Sequence, residues 1–185
     1  MGLAQREEYY TFADYYSWDD GQRWELIEGV PYAMSPAPSW RHQGIQGVLY
    51  NQLHNFLKGK KCKVFVSPID VRLNAHDRDD TVVQPDVLVL CDKNKLDDHG
   101  VVGAPDMVIE ILSPSTASKD MVLKLRIYRQ AGVREYWIVD PVSKTVIVYL
   151  LRGSDYIASS YGETDVVPVD VLEGCVIDLS EVFEE

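Results

Sequence analysis

Two apolar runs of this sequence each enclose an acidic residue, and those two acids constrain the fold more than any other feature. The runs are Val82-Val83-Gln84-Pro85-Asp86-Val87-Leu88-Val89-Leu90 around Asp86, and Pro105-Asp106-Met107-Val108-Ile109-Glu110-Ile111-Leu112 around Glu110. Both are largely apolar at odd and even positions alike, the pattern of strands covered on both faces. A carboxylate buried without a partner is costly, so each acid must be protonated, ion-paired or bound to a metal. If the two strands are neighbours, Asp86 and Glu110 converge on a divalent cation. Mg²⁺ takes oxygen ligands and keeps several waters, which suits a site with few protein ligands. In the alternative, each acid points outward at a strand end or pairs with an arginine.

Lys124 is the third member of this group. After Glu110 the chain turns at Ser113-Pro114-Ser115-Thr116 into a helix with Met121, Leu125 and Tyr128 at core spacing, ending at Ala131-Gly132. The chain runs out from Glu110 for about 5 residues at roughly 3.3 Å each and returns along the helix for about 8 at roughly 1.5 Å each. The two paths nearly cancel, so an ammonium on a long stem can reach the carboxylates. There it can orient or deprotonate a water, or stabilise a pentavalent phosphate. The competing arrangement is a flanking lysine paired with Asp120 four residues earlier.

The remaining elements follow from local signals. Thr11 caps a short helix to Trp18, with Asp14 near its start. Residues 23–34 form a hairpin turning at Glu28-Gly29, with Pro31 holding the second strand at an edge. Ser39 caps a helix carrying Ile45, Val48, Leu49, Leu53, Phe56 and Leu57, stopped by Gly59. Val64–Val66 and the alternating Ile69–Leu73 read as strands, Asp92–Gly103 as a polar loop, and Val133–Asp140 as a third buried strand. Weaker strands cover 145–151, 156–161 and 166–171. This order implies an α/β or α+β fold with a mixed central sheet, and a right-handed crossover helix between the strands ending at Leu112 and Asp140. With 185 residues the whole chain, 1–185, is expected to form one domain.

Charge narrows the functional classes. The net charge is −11, so the long-range field repels nucleic acid and anionic membranes and excludes a polybasic coat protein. A polyanionic substrate would need local help from Lys, Arg or a bound cation. The densest basic run, Lys58, Lys60, Lys61 and Lys63, reads as compensation at a helix C-terminus, with phosphate contact as the other option. The acidic clusters, such as Asp77 with Asp79-Asp80, read as solvated loops. Cys62, Cys91 and Cys175 have no metal-ligand spacing and are expected as reduced thiols. No signal peptide and no apolar stretch of membrane-spanning length are visible, which points to a cytoplasmic protein with no membrane partner. His54, His76 and His99 show no ligand spacing, and no P-loop, dinucleotide, HExxH or GxSxG motif is present.

The ordered set of segments resembles a known family. Trp24-Glu25-Leu26-Ile27-Glu28-Gly29, the helix with His42, Gln84-Pro85-Asp86-Val87, and Val108 through Thr116 are similar to the Uma2 family. So are Lys124, Tyr128 and the stretch from Ala131 to Pro141. This family, also called DUF820, belongs to the PD-(D/E)XK nuclease superfamily, and the likeness spans Phe12 to Asp178. The resemblance implies a restriction-endonuclease-like fold and an Mg²⁺- or Mn²⁺-dependent endonuclease acting on DNA. It makes Pro85-Asp86 the PD element and Glu110 the second acid, both metal ligands, with the backbone carbonyl of Ile111 as a further oxygen. The lysine expected two residues after that acid is Leu112 here, and Lys124 matches the helix lysine that relocates the charge. Glu25 and His42 also match and join the site as further ligand, water-orienting group, phosphate contact or acid. Two other expectations stand beside these. One is homodimerisation through edge strands and the Tyr-rich N-terminal region. The other is a catalytically inactive nuclease-fold module that binds nucleic acid or a protein partner.

Overall fold

The structure is a computed structural model that describes residues 8–34, 37–113 and 117–184, and the side chains of residues 117–120 lie outside that description. The turn expected at Pro114–Thr116, the breaker at Ser35-Pro36 and the Asp120 pairing therefore fall outside the described residues.

Helix α1 (Phe12–Tyr16) begins where the Thr11 backbone N–H and hydroxyl both donate to Asp14 Oδ2 at 2.8 Å. Strands β1 (Trp24–Ile27) and β2 (Val30–Ala33) form the expected hairpin, with Ile27 opposite Val30 and positive φ at Glu28 and Gly29. Gly29 is also required because the Tyr9 ring occupies the place its Cβ would take. Helix α2 (Trp40–Leu57) starts at Ser39, whose hydroxyl accepts from the His42 backbone N–H at 3.3 Å. It buries Ile45, Leu49, Leu53 and Leu57 at four-residue spacing, one face of the helix. Strands β3 (Lys63–Val66), β4 (Val71–Arg72), β5 (Val82–Val83) and β6 (Val87–Leu90) follow. Next come β7 (Leu96–Asp97), β8 (Gly100–Val102), β9 (Met107–Ile111), helix α3 (Ala117–Ala131) and β10 (Glu135–Asp140). The chain ends with β11 (Thr145–Arg152), β12 (Asp155–Gly162), β13 (Val166–Pro168), β14 (Val176–Asp178) and α4 (Leu179–Val182).

These strands build two mixed sheets and a two-stranded hairpin, so the α+β class holds while the one central sheet expected from sequence is divided. The first sheet has the order β2-β1-β5-β4-β8-β7 and the second β12-β11-β10-β9-β6-β3; β13 pairs with β14. The run Val82–Leu90 is not one strand: β5 belongs to the first sheet and β6 to the second. Pro85 lies in the break, where it lacks a ladder N–H and restricts Gln84 before it. The Ile69–Leu73 strand shrinks to Val71–Arg72. The polar loop Asp92–Gly103 instead contains a 3₁₀ turn (Lys93–Lys95) and the β7–β8 hairpin, with β8 parallel to β4 and Val101 fully buried. β14 and α4 are two further elements beyond those expected from sequence. The α3 crossover does join two parallel neighbours, β9 and β10, as expected.

The second sheet is covered on both faces. On one, Leu49, Leu53 and Leu57 of α2 pack with Val87, Val89, Met107, Ile109, Trp137 and Val139, alongside the β13–β14 hairpin and α4. On the other, Leu88, Leu90, Val108 and Ile138 pack with Ile127 and Tyr128 of α3 and with Ile27, Val83 and Val101 of the first sheet. Glu110 shares the parity of Val108 and so faces α3 and the first sheet. Two further expectations are corrected. Cys62 and Cys91 form a disulfide, because pairing of Lys63 with Leu90 brings the flanking cysteines opposite each other; Cys175 is free and buried. Asp80 is fully buried, accepting from Asn74 and Thr81, rather than solvated. Among the described residues, no helix is long and apolar enough to cross a membrane.

Leu49 is fully buried in the α2 face and Leu96 is exposed on β7. Leu49→Ala is expected to cost about 2–5 kcal/mol in urea unfolding, and Leu96→Ala less than about 0.5 kcal/mol.

Candidate active site

The two embedded acids meet where β6 begins and β9 ends. Val87 pairs with Ile109 in the antiparallel register, so one step further along Asp86 stands opposite Glu110. The Ile111 backbone N–H donates to Asp86 Oδ2 at 2.8 Å, tying the end of β9 to the acid that precedes β6. Antiparallel pairing places directly opposed side chains on the same face, which is why two acids distant in sequence become neighbours.

From α3, Lys124 and Tyr128 reach the same oxygen. Lys124 Nζ lies 3.0 Å from Glu110 Oε1, and the Tyr128 hydroxyl donates to that atom at 2.7 Å. The four-residue spacing stacks the two side chains on one helical face. Lys124 Nζ also lies 2.9 Å from Glu25 Oε1, so the ammonium is held between an acid of each sheet, with only 7% of its side chain exposed. Glu25 comes from β1 and additionally accepts from the Gln84 backbone N–H at 3.0 Å. That contact fixes the Gln84-Pro85-Asp86 passage between the two sheets.

From the other face, the N-terminal turn of α2 supplies His42, whose Nε2 lies 3.2 Å from Asp86 Oδ2. One turn later, Gln46 Nε2 donates to the Asp86 carbonyl at 2.8 Å and to Ser67 Oγ at 3.0 Å. His42 is buried, and its Nδ1 has no hydrogen-bond partner among the described residues. All five residues singled out from sequence, Glu25, His42, Asp86, Glu110 and Lys124, therefore lie in one connected group. The lysine run from Lys58 to Lys63 does not join it: Lys58 is sixteen residues beyond His42 on α2, roughly 24 Å along the axis.

Tyr128, Gln46 and Gln84 were not singled out as site residues. A signal was present for two of them, since Tyr128 follows Lys124 and Gln46 follows His42 by one helical turn. The helical spacing places Tyr128 in the core, and there it is fully buried.

Burial sets the electrostatics. It pushes the Glu110 carboxyl up; Lys124 opposes this, the Asp86 and Glu25 charges add to it, and the net position is well above the usual carboxylate range. Burial alone would lower the Lys124 ammonium, but Glu110 and Glu25 outweigh it and hold the group protonated, well above its ordinary value. Burial also works against a charged His42, and the hydrogen bond and charge of Asp86 reverse that to raise its pKa. Desolvation, with the Glu110 charge, keeps the Tyr128 phenol protonated and therefore a donor.

This donor set suits a hard cation. Three carboxylates surround one ammonium and one imidazole, and burial, aided by the Asp86 and Glu25 charges, raises Glu110 despite the opposing Lys124. Among the described residues, Asp86 Oδ1 and Glu110 Oε2 accept no hydrogen bond, so a cation placed between the two acids would find one unpaired oxygen on each. No group of three or more His, Cys, Asp or Glu side chains among the described residues has metal-holding geometry. Two carboxylates completed by water match the way Mg²⁺ is bound.

The chain is similar to several known proteins. A family model, Uma2, described as "Putative restriction endonuclease", matches residues 12–180. An uncharacterized protein of Synechocystis sp. is 28% identical over 156 residues, covering 82% of this chain and 80% of that protein. A crystal structure described as a putative nuclease belonging to DUF820, from Anabaena variabilis, superposes with a TM-score of 0.76. It is 21% identical, over 94% of this chain and 97% of that one, and shows the fold.

Glu110 and His42 both have folded-state pKa values above their ordinary ones. Protons bound more tightly by the folded state stabilise it at low pH, and that contribution is lost as pH rises through the elevated values. Wild type is therefore expected to lose stability relative to Glu110→Gln between about pH 5 and about pH 8, read from urea midpoints. A difference that stays constant over this window contradicts the charge balance described above.

Proposed function

We propose, because this chain belongs to the Uma2 family, that it is a metal-dependent endonuclease that hydrolyses phosphodiester bonds in DNA. The observation that carries this reading is the Lys124 ammonium held between Glu25 and Glu110, beside the opposed pair Asp86 and Glu110. In this reading Asp86 and Glu110 hold Mg²⁺ or Mn²⁺ through their unpaired oxygens, with the Ile111 carbonyl as a further ligand. The bound cation supplies charge stabilisation at the phosphate and a water of lowered pKa.

The chain's own groups do the rest. Lys124 remains an ammonium and so acts as a donor and a charge, not as a base that removes a proton from water. Two of its three protons are directed at Glu25 and Glu110, which aims the third and fixes the head group. A phosphate oxygen or the attacking water accepts that third hydrogen bond as charge builds in the transition state. Glu25 orients Lys124 and, through Gln84, the backbone that carries Asp86. His42, whose pKa Asp86 raises against the effect of burial, is suited in its protonated form to donate to a phosphate oxygen. Leu112 occupies the position where the wider superfamily carries its lysine, and Lys124 delivers the equivalent charge from α3. The local cations let a chain of net charge −11 approach a polyanion.

The expected outcome is one Mn²⁺ site by titration calorimetry in wild type and none in Asp86→Ala or Glu110→Ala, with cleavage of plasmid DNA reduced to background in both. Lys124→Gln should keep the Mn²⁺ site while cleaving about 10²–10³-fold more slowly. Absence of Mn²⁺ binding by folded wild type rejects the hydrolytic reading and favours a binding module without catalysis.

A further inference from the structure

The Tyr128 hydroxyl is buried in the layer between the two sheets, yet it is spent on a single carboxylate oxygen of the candidate site. We infer that Tyr128 is a positioning residue which, together with Lys124, saturates Glu110 Oε1 and so reserves Glu110 Oε2 for the cation. This rests on the metal-dependent reading above and adds a residue to it.

A carboxylate oxygen offers two lone pairs, and Oε1 uses both, for Tyr128 at 2.7 Å and Lys124 at 3.0 Å. No described residue donates to Oε2. Without the phenol, Oε1 has one partner and the carboxylate can rotate about its terminal torsion, which is broad. It could then present either oxygen, or turn both toward Lys124. Two donors fixed on the same atom remove that freedom.

Tyr128 is itself held in place. It is fully buried among Ile127, Val108 and Ile138, and its ring packs against Tyr136 with centroids 4.9 Å apart. It follows Lys124 by one turn, so both donors move with α3 as a unit. Groups that orient a metal ligand in this way typically change metal affinity by about 10–100-fold when removed.

The test is Tyr128→Phe, which keeps the ring and its packing and deletes only the hydroxyl. Tyr136→Phe is the matched control, since it removes a neighbouring phenol with no hydrogen bond to Glu110. Mn²⁺ binding is measured by calorimetry well below the melting temperature, with circular dichroism confirming that each variant is folded. The expected result is a Kd raised about 10–100-fold in Tyr128→Phe and unchanged in Tyr136→Phe. A purely structural hydroxyl would lower the melting temperature and leave the Kd of Tyr128→Phe at the wild-type value, and that result overturns the inference. An equal loss in both variants also overturns it, because it assigns the effect to core polarity in general. Failure of wild type to bind Mn²⁺ is a different outcome and rejects the metal-dependent reading itself.

Discussion

The ammonium of Lys124, enclosed between Glu25 and Glu110, is the interaction on which the rest of this site depends. Burial raises the Glu110 carboxyl and Lys124 opposes that rise, while Glu110 and Glu25 together outweigh the burial of Lys124 and keep it an ammonium. Their mutual dependence ties β1 of one sheet to β9 of the other through a single residue of α3. Burial, which weakens each charge alone, makes the group act as a unit because the surroundings screen it poorly.

The backbone is arranged to deliver these groups. The chain crosses between sheets at Gln84-Pro85-Asp86, and both ends of that crossing are anchored: Gln84 donates to Glu25, while the Asp86 carbonyl accepts from Gln46. Asp86 is thus placed where α2, α3 and both sheets come together. His42 approaches from the α2 face and Lys124 from the α3 face, so the site is lined from both layers that cover the second sheet. A break in a strand, costly elsewhere in a sheet, here exposes one side of an acid to partners on two faces.

Elements whose signals are local were legible from the residues. The Glu28-Gly29 turn, the Ser39 cap and the stop at Gly132 each depend on a few adjacent positions, and the structure forms all three. The opposition of Asp86 and Glu110 was legible as a need for partners, since an acid in an apolar strand signals that need wherever it lies. Elements whose stability comes from distant contacts were not. Val101 is fully buried inside a segment that reads as a polar loop, because β4, far earlier in the chain, supplies its neighbour. The Cys62–Cys91 bond follows from the pairing of β3 with β6, which no spacing rule reveals. Tyr128 looked like core and is core; that its hydroxyl also serves Glu110 depends on a rotamer and a depth that the helical period does not contain.

The amino-acid sequence by itself determined that Asp86 and Glu110, if buried, need protonation, an ion pair or a metal, and that Lys124 on the following helix could reach them. Those conclusions need only the cost of burying a carboxylate and the rise per residue of strands and helices. Tertiary structure decided which partner each charge took: Glu25 from a separate sheet for Lys124, His42 from the opposite layer for Asp86. It also decided which carboxylate oxygen was left unpaired. Such choices depend on distances of a few ångströms and on how deeply each group is removed from water, and both are properties of the packed layers together.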